Sequence, residues 1–330
     1  MLSSLFVLIG TFIGAGFASG KEIFNFFSIF NIYSFLGILV FSILTFLIVY
    51  KTLQFKTMYN IHTYADLLNF FEKKFKYFNS KVFLKLVNFF LLISFYIMIC
   101  AICTLFYDKF YFNKFITVFI TITICYNVFS KNNLNFIYKL NLILMPILIL
   151  FFIILGIKTT VNTNIIFDYS SFSFLFLIKS LLYFSYNNLL IVPILFQLHI
   201  NSKKILRFSL LFSFIIFILM NLLNLILLVN FNEIYNKELP VLHISASNGF
   251  IYSFLYFVIF LSAVITTMMS SGFAFCNNIT TNKKNKILFF LLASLIFSIV
   301  SFSNLINLFY TILGVVGFIQ ISLILLNYKS

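Results

Sequence analysis

Long uncharged apolar runs alternate with short charged stretches along the whole chain. A membrane-spanning helix needs about 20 consecutive apolar residues. Runs of that kind cover roughly residues 2–27, 32–50, 84–107, 113–130, 137–157, 171–197, 207–231 and 250–275. From Ile287 to Tyr328 there are 42 residues without a charge, too many for one helix. Asn304 and Asn307 mark the expected turn that divides them, giving ten spans. The first span has a rival reading that ends it at Gly20 and leaves Lys21 and Glu22 at the interface. Pro146 is the expected kink of the fifth span. Residues 51–81 form the longest polar segment. There Thr63-x-x-Asp66 has the form of a capping box, followed by Leu67, Leu68, Phe70, Phe71 and Phe75 among charged residues, which predicts a short amphipathic surface helix. Residues 232–249 form a polar, partly re-entrant connection.

The loops check this division. Sixteen of the 22 Lys and Arg residues fall on one side and Lys109, Lys114, Lys158 and Lys237 on the other, with Lys21 and Lys179 inside spans. Such an asymmetry places both termini in the cytoplasm. One span added or missed would scramble the separation. Ten spans divide as five plus five, and because five is odd the halves take opposite orientations. The expected fold is an all-α integral membrane protein built as an inverted repeat, repeat one about 1–157 and repeat two about 171–327. Composition agrees: 62% of residues are hydrophobic and 9% charged, where a soluble protein carries about a quarter charged residues. The net charge of +15 is accounted for by its place in the loops, so nucleic acid is not an expected partner. The 51 phenylalanines and absence of tryptophan match the codon bias of an AT-rich genome. Cys100, Cys103, Cys125 and Cys276 read as buried thiols, since no His or second Cys pair completes a metal site. Gly16-Phe17-Ala18 resembles a signal-peptide cleavage site, but residues 2–13 contain no basic residue, and the segment is read as retained. No phosphate loop, H-E-x-x-H or G-x-S-x-G is present, so no enzyme is expected.

Four of the ten glycines fall between Gly10 and Gly20. A glycine inside a helix costs roughly 1 kcal/mol against alanine, so the cluster has another use. One use is a close-packed helix face. The other is a helix that stops and restarts inside the membrane, tolerated where protein buries the bare backbone or it lines a wet cavity. A second polar interruption, Ser185-Tyr186-Asn187-Asn188, lies at the corresponding place in the sixth span, and paired interruptions point to a central binding site. Taken alone, an asparagine pair there is as readily a helix–helix contact.

Gly10-x-x-Ile13-Gly14-Ala15-Gly16-Phe17-Ala18-Ser19-Gly20-x-Glu22 resembles the first helix of the YkvI family of bacterial membrane proteins, and Ser185-Tyr186-Asn187 resembles its sixth-helix motif. Gly10-x-x-Ile13-Gly14-x-Gly16 is more distantly similar to the broken first helix of LeuT-fold transporters of the amino acid-polyamine-organocation superfamily. The resemblance implies a LeuT-like arrangement with helices 1 and 6 interrupted, in a bacterial cytoplasmic membrane. It also implies a secondary transporter of a small organic solute, an amino acid or related carboxylate, working by alternating access. A non-transporting sensor or assembly protein on the same scaffold, and a channel, are the alternatives. The expected solute site comprises Gly14, Ala15, Gly16, Phe17 and Ala18, where a restarting helix presents N–H groups, with Tyr186 and Asn187. Beyond a sodium ion no cofactor is expected. In LeuT-fold sodium symporters a site joins first-helix carbonyls to an A-x-x-[ST]-[ST] segment of the eighth helix, which here is Ala263-Val264-Ile265-Thr266-Thr267. The implied ligands are the carbonyls of Gly10, Ile13 and Ala263 and the hydroxyls of Thr266 and Thr267. Glu22 and Lys179, costly inside a membrane, each lie about 10 Å outside the breaks at 1.5 Å per helical residue, which makes them candidates for an outer gate. The solute and the lipid bilayer are the expected partners, and no oligomeric state follows from the pattern.

Overall fold

A computed structural model describes residues 2–76, 78–131, 134–161, 173–198, 200–277 and 302–326, together with Leu292 and Leu295. Helices account for nearly all of it, and no strand occurs among the described residues. The protein is an all-α, multi-pass membrane protein. Its first span is three pieces, α1 (Leu2–Phe12), α2 (Ala15–Ala18) and α3 (Lys21–Phe26). Then come α4 (Tyr33–Met58), α5 (Tyr64–Lys74), α6 (Ser80–Phe110), α7 (Lys114–Lys131), α8 (Leu134–Val161), α9 (Leu175–Gln197) and α10 (Ile205–Val229). Two short helices, α11 (Phe231–Ile234) and α12 (Pro240–Ser247), precede α13 (Phe250–Asn277) and α14 (Phe302–Leu326). Five of the described helices are long and apolar enough to cross a bilayer.

Two expectations need correction. The sixth span, α9, is one continuous helix through Tyr186, Asn187 and Asn188. Asn304 and Asn307 lie inside α14 and so do not mark a turn. The ninth span falls outside the described residues, apart from Leu292 and Leu295. Several helices also outrun their uncharged stretches: α4 continues through Lys51 and Lys56 to Met58. Long lysine stems can lie along a helix while the ammonium reaches the interface, so a charge does not end a helix.

Packing follows the solvent rules of a bilayer. On α4, Leu36, Leu39, Ile43 and Leu47 form an exposed apolar stripe at helical spacing, while Gly37, Phe41, Ser42, Thr45 and Thr52 face inward. Serine and threonine are affordable inside because their hydroxyls bond back to their own helix, as Thr45 does to the Phe41 carbonyl at 2.8 Å. Helix α9 sits against α1, α3, α4 and α14. Its seam with α14 is set by Gly314 and Gly317: a Cβ on Gly314 would come within 2.8 Å of the Leu182 carbonyl, and one on Gly317 would overlap the Ser185 carbonyl.

The two ends of the bundle are tied separately. At one, Lys21 donates to the Lys237 carbonyl (2.9 Å), Lys109 to Ser253 (2.9 Å to the carbonyl) and Lys158 to the Asn248 carbonyl (2.9 Å), while Phe302 N–H donates to Glu238 (3.0 Å). At the other, Lys56 caps α9 by donating to the Phe196 and Leu198 carbonyls at 2.8 Å each, and Tyr64 of α5 donates to Gln320 of α14 at 2.8 Å. These groupings agree with the alternation of loops read from the charges.

Candidate functional site

The first span breaks twice. At the first break Gly14 is extended (φ −86°, ψ −175°), and its N–H donates to the Phe12 carbonyl at 3.0 Å instead of to Gly10, four residues back. The helix restarts at Ala15 with no side-chain cap and lasts four residues. At the second break Gly20 takes a left-handed φ of 80°, where a side chain would be strained. Val241 from α12 packs over it, its Cγ2 within 2.8 Å of where a Cβ would stand. The carbonyls released here are taken up by other segments: Ala18 accepts from the Tyr256 hydroxyl (3.0 Å) and Ser19 from Val241 N–H (3.0 Å). Residues 232–249 thus reach the broken helix itself rather than only linking two spans. Ser19 closes the turn locally, donating to the Gly16 carbonyl at 2.9 Å and accepting from Lys21 N–H at 3.2 Å.

The left-handed residue at Gly20 redirects α3, and with it Glu22. The carboxylate lies back over Gly16, in the space a side chain there would fill. It is fully buried, and each oxygen accepts from a tyrosine of α9: Oε2 from Tyr183 (2.9 Å) and Oε1 from Tyr186 (3.1 Å). Tyr183 was missed by the sequence reading, although Tyr183-x-x-Tyr186 places two hydroxyl-bearing rings on one helix face. Its ring is wedged among Phe26, Phe27 and Phe41, each 5.2 Å between centroids. That cage fixes the place of the ring, and with it the hydroxyl oxygen beside Glu22.

The other expected residues divide. Ala15, Gly16, Phe17 and Ala18 are buried at the break and Gly14 is half-buried, with Tyr186 beside them through Glu22. Asn187 is buried, but its amide donates to the Tyr183 carbonyl of its own helix (2.8 Å), and Asn188 does the same to Phe184 (2.7 Å). Those bonds explain why α9 stays whole: each amide finds its partner one turn back and takes nothing from the helical ladder. Lys179 lies over the Phe26 ring, 5.3 Å from its centroid, while the Glu22 oxygens are turned to the tyrosines.

Of the expected sodium ligands, Ala263 and Thr266 are buried in α13, and the Thr267 methyl carbon lies 3.9 Å from where a Cβ on Gly14 would be. The first break and α13 therefore meet. Both hydroxyls, however, donate to the Ala263 carbonyl, Thr266 at 2.9 Å and Thr267 at 3.0 Å. Both hydroxyls thus share that carbonyl with the helix's own backbone bond. Gly10 and Ile13 are both buried. Among the described residues no three His, Cys, Asp or Glu side chains gather to hold a metal ion.

No family model and no curated protein matches the chain. A solved structure does: the Eremococcus coleocola manganese transporter, in complex with an aromatic bis-isothiourea substituted compound. The match covers 99% of this chain and 78% of that one, at 15% identity and a TM-score of 0.57. The chain shares that transporter's fold. In this chain the space over the break is filled by one carboxylate held by two phenols.

Proposed function

We propose that the protein is a secondary transporter of a small organic solute, an amino acid or related carboxylate, moved by alternating access around the broken first span. The observation that carries this reading is the buried, twice-interrupted helix at Gly14 and Gly20, faced by hydroxyls from α9 and α13. Irregular backbone at membrane depth is tolerated where it lines a site, and a central site in such bundles is built from a discontinuous helix. The transporter fold supports the class. The LeuT-fold resemblance supports the solute class, the basic loops gathered on one side support both termini inside, and the ten-span count supports the inverted-repeat plan. In this reading Gly14–Ala18 and Tyr186 contact the solute, with Asn187 behind them.

The test is uptake into proteoliposomes across a panel of amino acids, with and without sodium, comparing the wild type with Gly16→Leu. A leucine at 16 must displace the Glu22 carboxylate, and uptake is expected to fall at least about tenfold, the equivalent of 1.4 kcal/mol. Unchanged uptake in the variant removes the site. Coupling to sodium is a second reading, favoured by the approach of Thr267 to the first break, where its methyl lies 3.9 Å from where a Cβ on Gly14 would stand. Sodium would bind the Ala263 carbonyl once a threonine hydroxyl turns away from it. Thr267→Ala is then expected to abolish sodium dependence, and sodium-dependent uptake that survives the change rejects that assignment.

A further inference from the structure

We propose that Glu22 is a proton-binding site, whose carboxyl takes up a proton on one side of the membrane and releases it on the other as part of the transport cycle. The inference rests on the transport reading for its purpose, but its chemistry stands on the site alone. The chain has seven acidic residues, and among the described residues Glu22 is the buried one. It has no contact with solvent, and it bridges α3 to α9 through the Tyr183 and Tyr186 hydroxyls.

Those partners suit a group that changes protonation state. A carboxylate only accepts hydrogen bonds, whereas a carboxylic acid also donates one. A tyrosine hydroxyl can donate or accept by turning about its C–O bond. Two tyrosines can therefore satisfy both forms of Glu22 without any movement of backbone, whereas a guanidinium in their place would accept nothing and would hold the anion. The step is simple in balance: one proton joins a carboxylate oxygen and the charge there goes from −1 to zero.

Protonation also changes how firmly α3 is held to α9. Hydrogen bonds to an ionised carboxylate are roughly twice as strong as neutral ones. The ionised form therefore latches the second half of the broken span onto α9, and the protonated form loosens it. Gly16 is part of the device because only a residue without a side chain leaves the carboxylate its seat.

The charged and titratable groups around the site are few. On α9 they are Lys179, over Phe26, and the two tyrosines themselves. On α3 Lys21 is turned to the Lys237 carbonyl, and on α13 Tyr256 donates to Ala18. The ionisable residue of α10, Arg207, lies in its first turn, and α14 contributes Tyr310 by sequence. Lys237, Glu238 and His243 lie in the connection that meets the second break, and Tyr33 stacks on Phe176 at the start of α4.

The experiment is infrared difference spectroscopy between pH steps on the full chain in liposomes. A carboxylic-acid C=O band is expected to titrate, to disappear in Glu22→Gln, and to shift in frequency in Tyr183→Phe and in Tyr186→Phe. Glutamate labelled with 13C at its side-chain carboxyl moves the band if it belongs to any of the four glutamates, and the shifts in Tyr183→Phe and Tyr186→Phe then place it at Glu22 even if Glu22→Gln misfolds. A spectrum with no titrating carboxylic-acid band, or a band that persists in a folded Glu22→Gln, overturns the proposal. Uptake is measured beside it with an imposed pH gradient and a pH-sensitive dye inside the vesicles. Solute uptake that moves no protons, in a protein lacking the band, leaves the transport reading intact and ends this one. A Glu22 band without uptake of any solute does the reverse.

Discussion

Residues 10–20 and residues 183–188 lie against each other at the centre of the bundle, and their polar content meets the membrane interior by different means. In the first, glycines let the backbone leave the helix twice, and the released groups are satisfied by Tyr256, Val241 and Ser19. In the second, asparagine amides bond one turn back along an unbroken helix, and the tyrosine hydroxyls reach across to Glu22. One region offers main chain and the other offers side chains. Polarity inside a span thus does not itself predict a break. What matters is whether the polar atoms belong to the backbone or to side chains long enough to fold onto their own helix.

The comparison can be broken hardest from the side of α9. A Cβ on Gly317 would overlap main-chain atoms of Ser185, which cannot swing aside as a side chain can. Gly317→Ala is expected to cost about 3 kcal/mol through overpacking, read as a lowered midpoint of thermal unfolding by circular dichroism in detergent. Gly16→Leu makes the opposite case. The atoms in its way are Oε1, Cδ and Cγ of the Glu22 side chain, which can turn about its own bonds, so the protein should still fold and lose less in melting than Gly317→Ala while uptake collapses. If Gly16→Leu unfolds the protein and Gly317→Ala does not, the distinction drawn here is mistaken.

Smaller effects sharpen it. Gly20→Ala places a Cβ at φ 80° against Val241, and the left-handed conformation alone costs about 1–2 kcal/mol. The loss should appear as faster amide exchange in residues 232–249 as well as in α3, because α12 rests on that turn. The smallest effect concerns a helix started in the ordinary way. Helix α5 begins with a reciprocal Thr63–Asp66 capping box, where α2 begins with no side-chain cap. The Thr63 side chain and N–H hold the exposed Asp66 carboxyl below its ordinary value. Its contribution is therefore fully present above the usual carboxylate range and is lost as the pH falls through that depressed value. Asp66→Asn should remove this acid-side dependence and fray the first turn of α5 in hydrogen exchange, with transport unchanged.

Much of this architecture was legible in the chain. The described spans, the surface helix at Tyr64–Lys74 and the break at Gly14 follow from hydropathy, capping chemistry and glycine spacing. The position of Glu22 was not legible. Counting 1.5 Å per residue from Gly16 assumes a straight helix, and that assumption fails at Gly20. A glycine's freedom is visible in sequence, but not that Gly20 takes a positive φ with Val241 and Leu227 from distant segments packed against it. The same holds for α9: Asn187 and Asn188 could have marked a break or a set of amide bonds, and only the path of the main chain decides. Tyr183 was overlooked among 18 tyrosines because its role depends on a carboxylate displaced from where a straight helix would leave it.

The hydrogen bond between Glu22 and Tyr183 also sets an order of assembly. Its partners are 161 residues apart, and the glutamate is synthesised first. At about 5–20 residues per second, roughly 10–30 s pass before the tyrosine exists. During that interval the first span has two open turns and a buried acid with nothing from α9, α12 or α13 to meet them, and lipid supplies no hydrogen bonds. It therefore reaches its final shape only after later helices have been laid down beside it. The part of the protein made first is finished among the last.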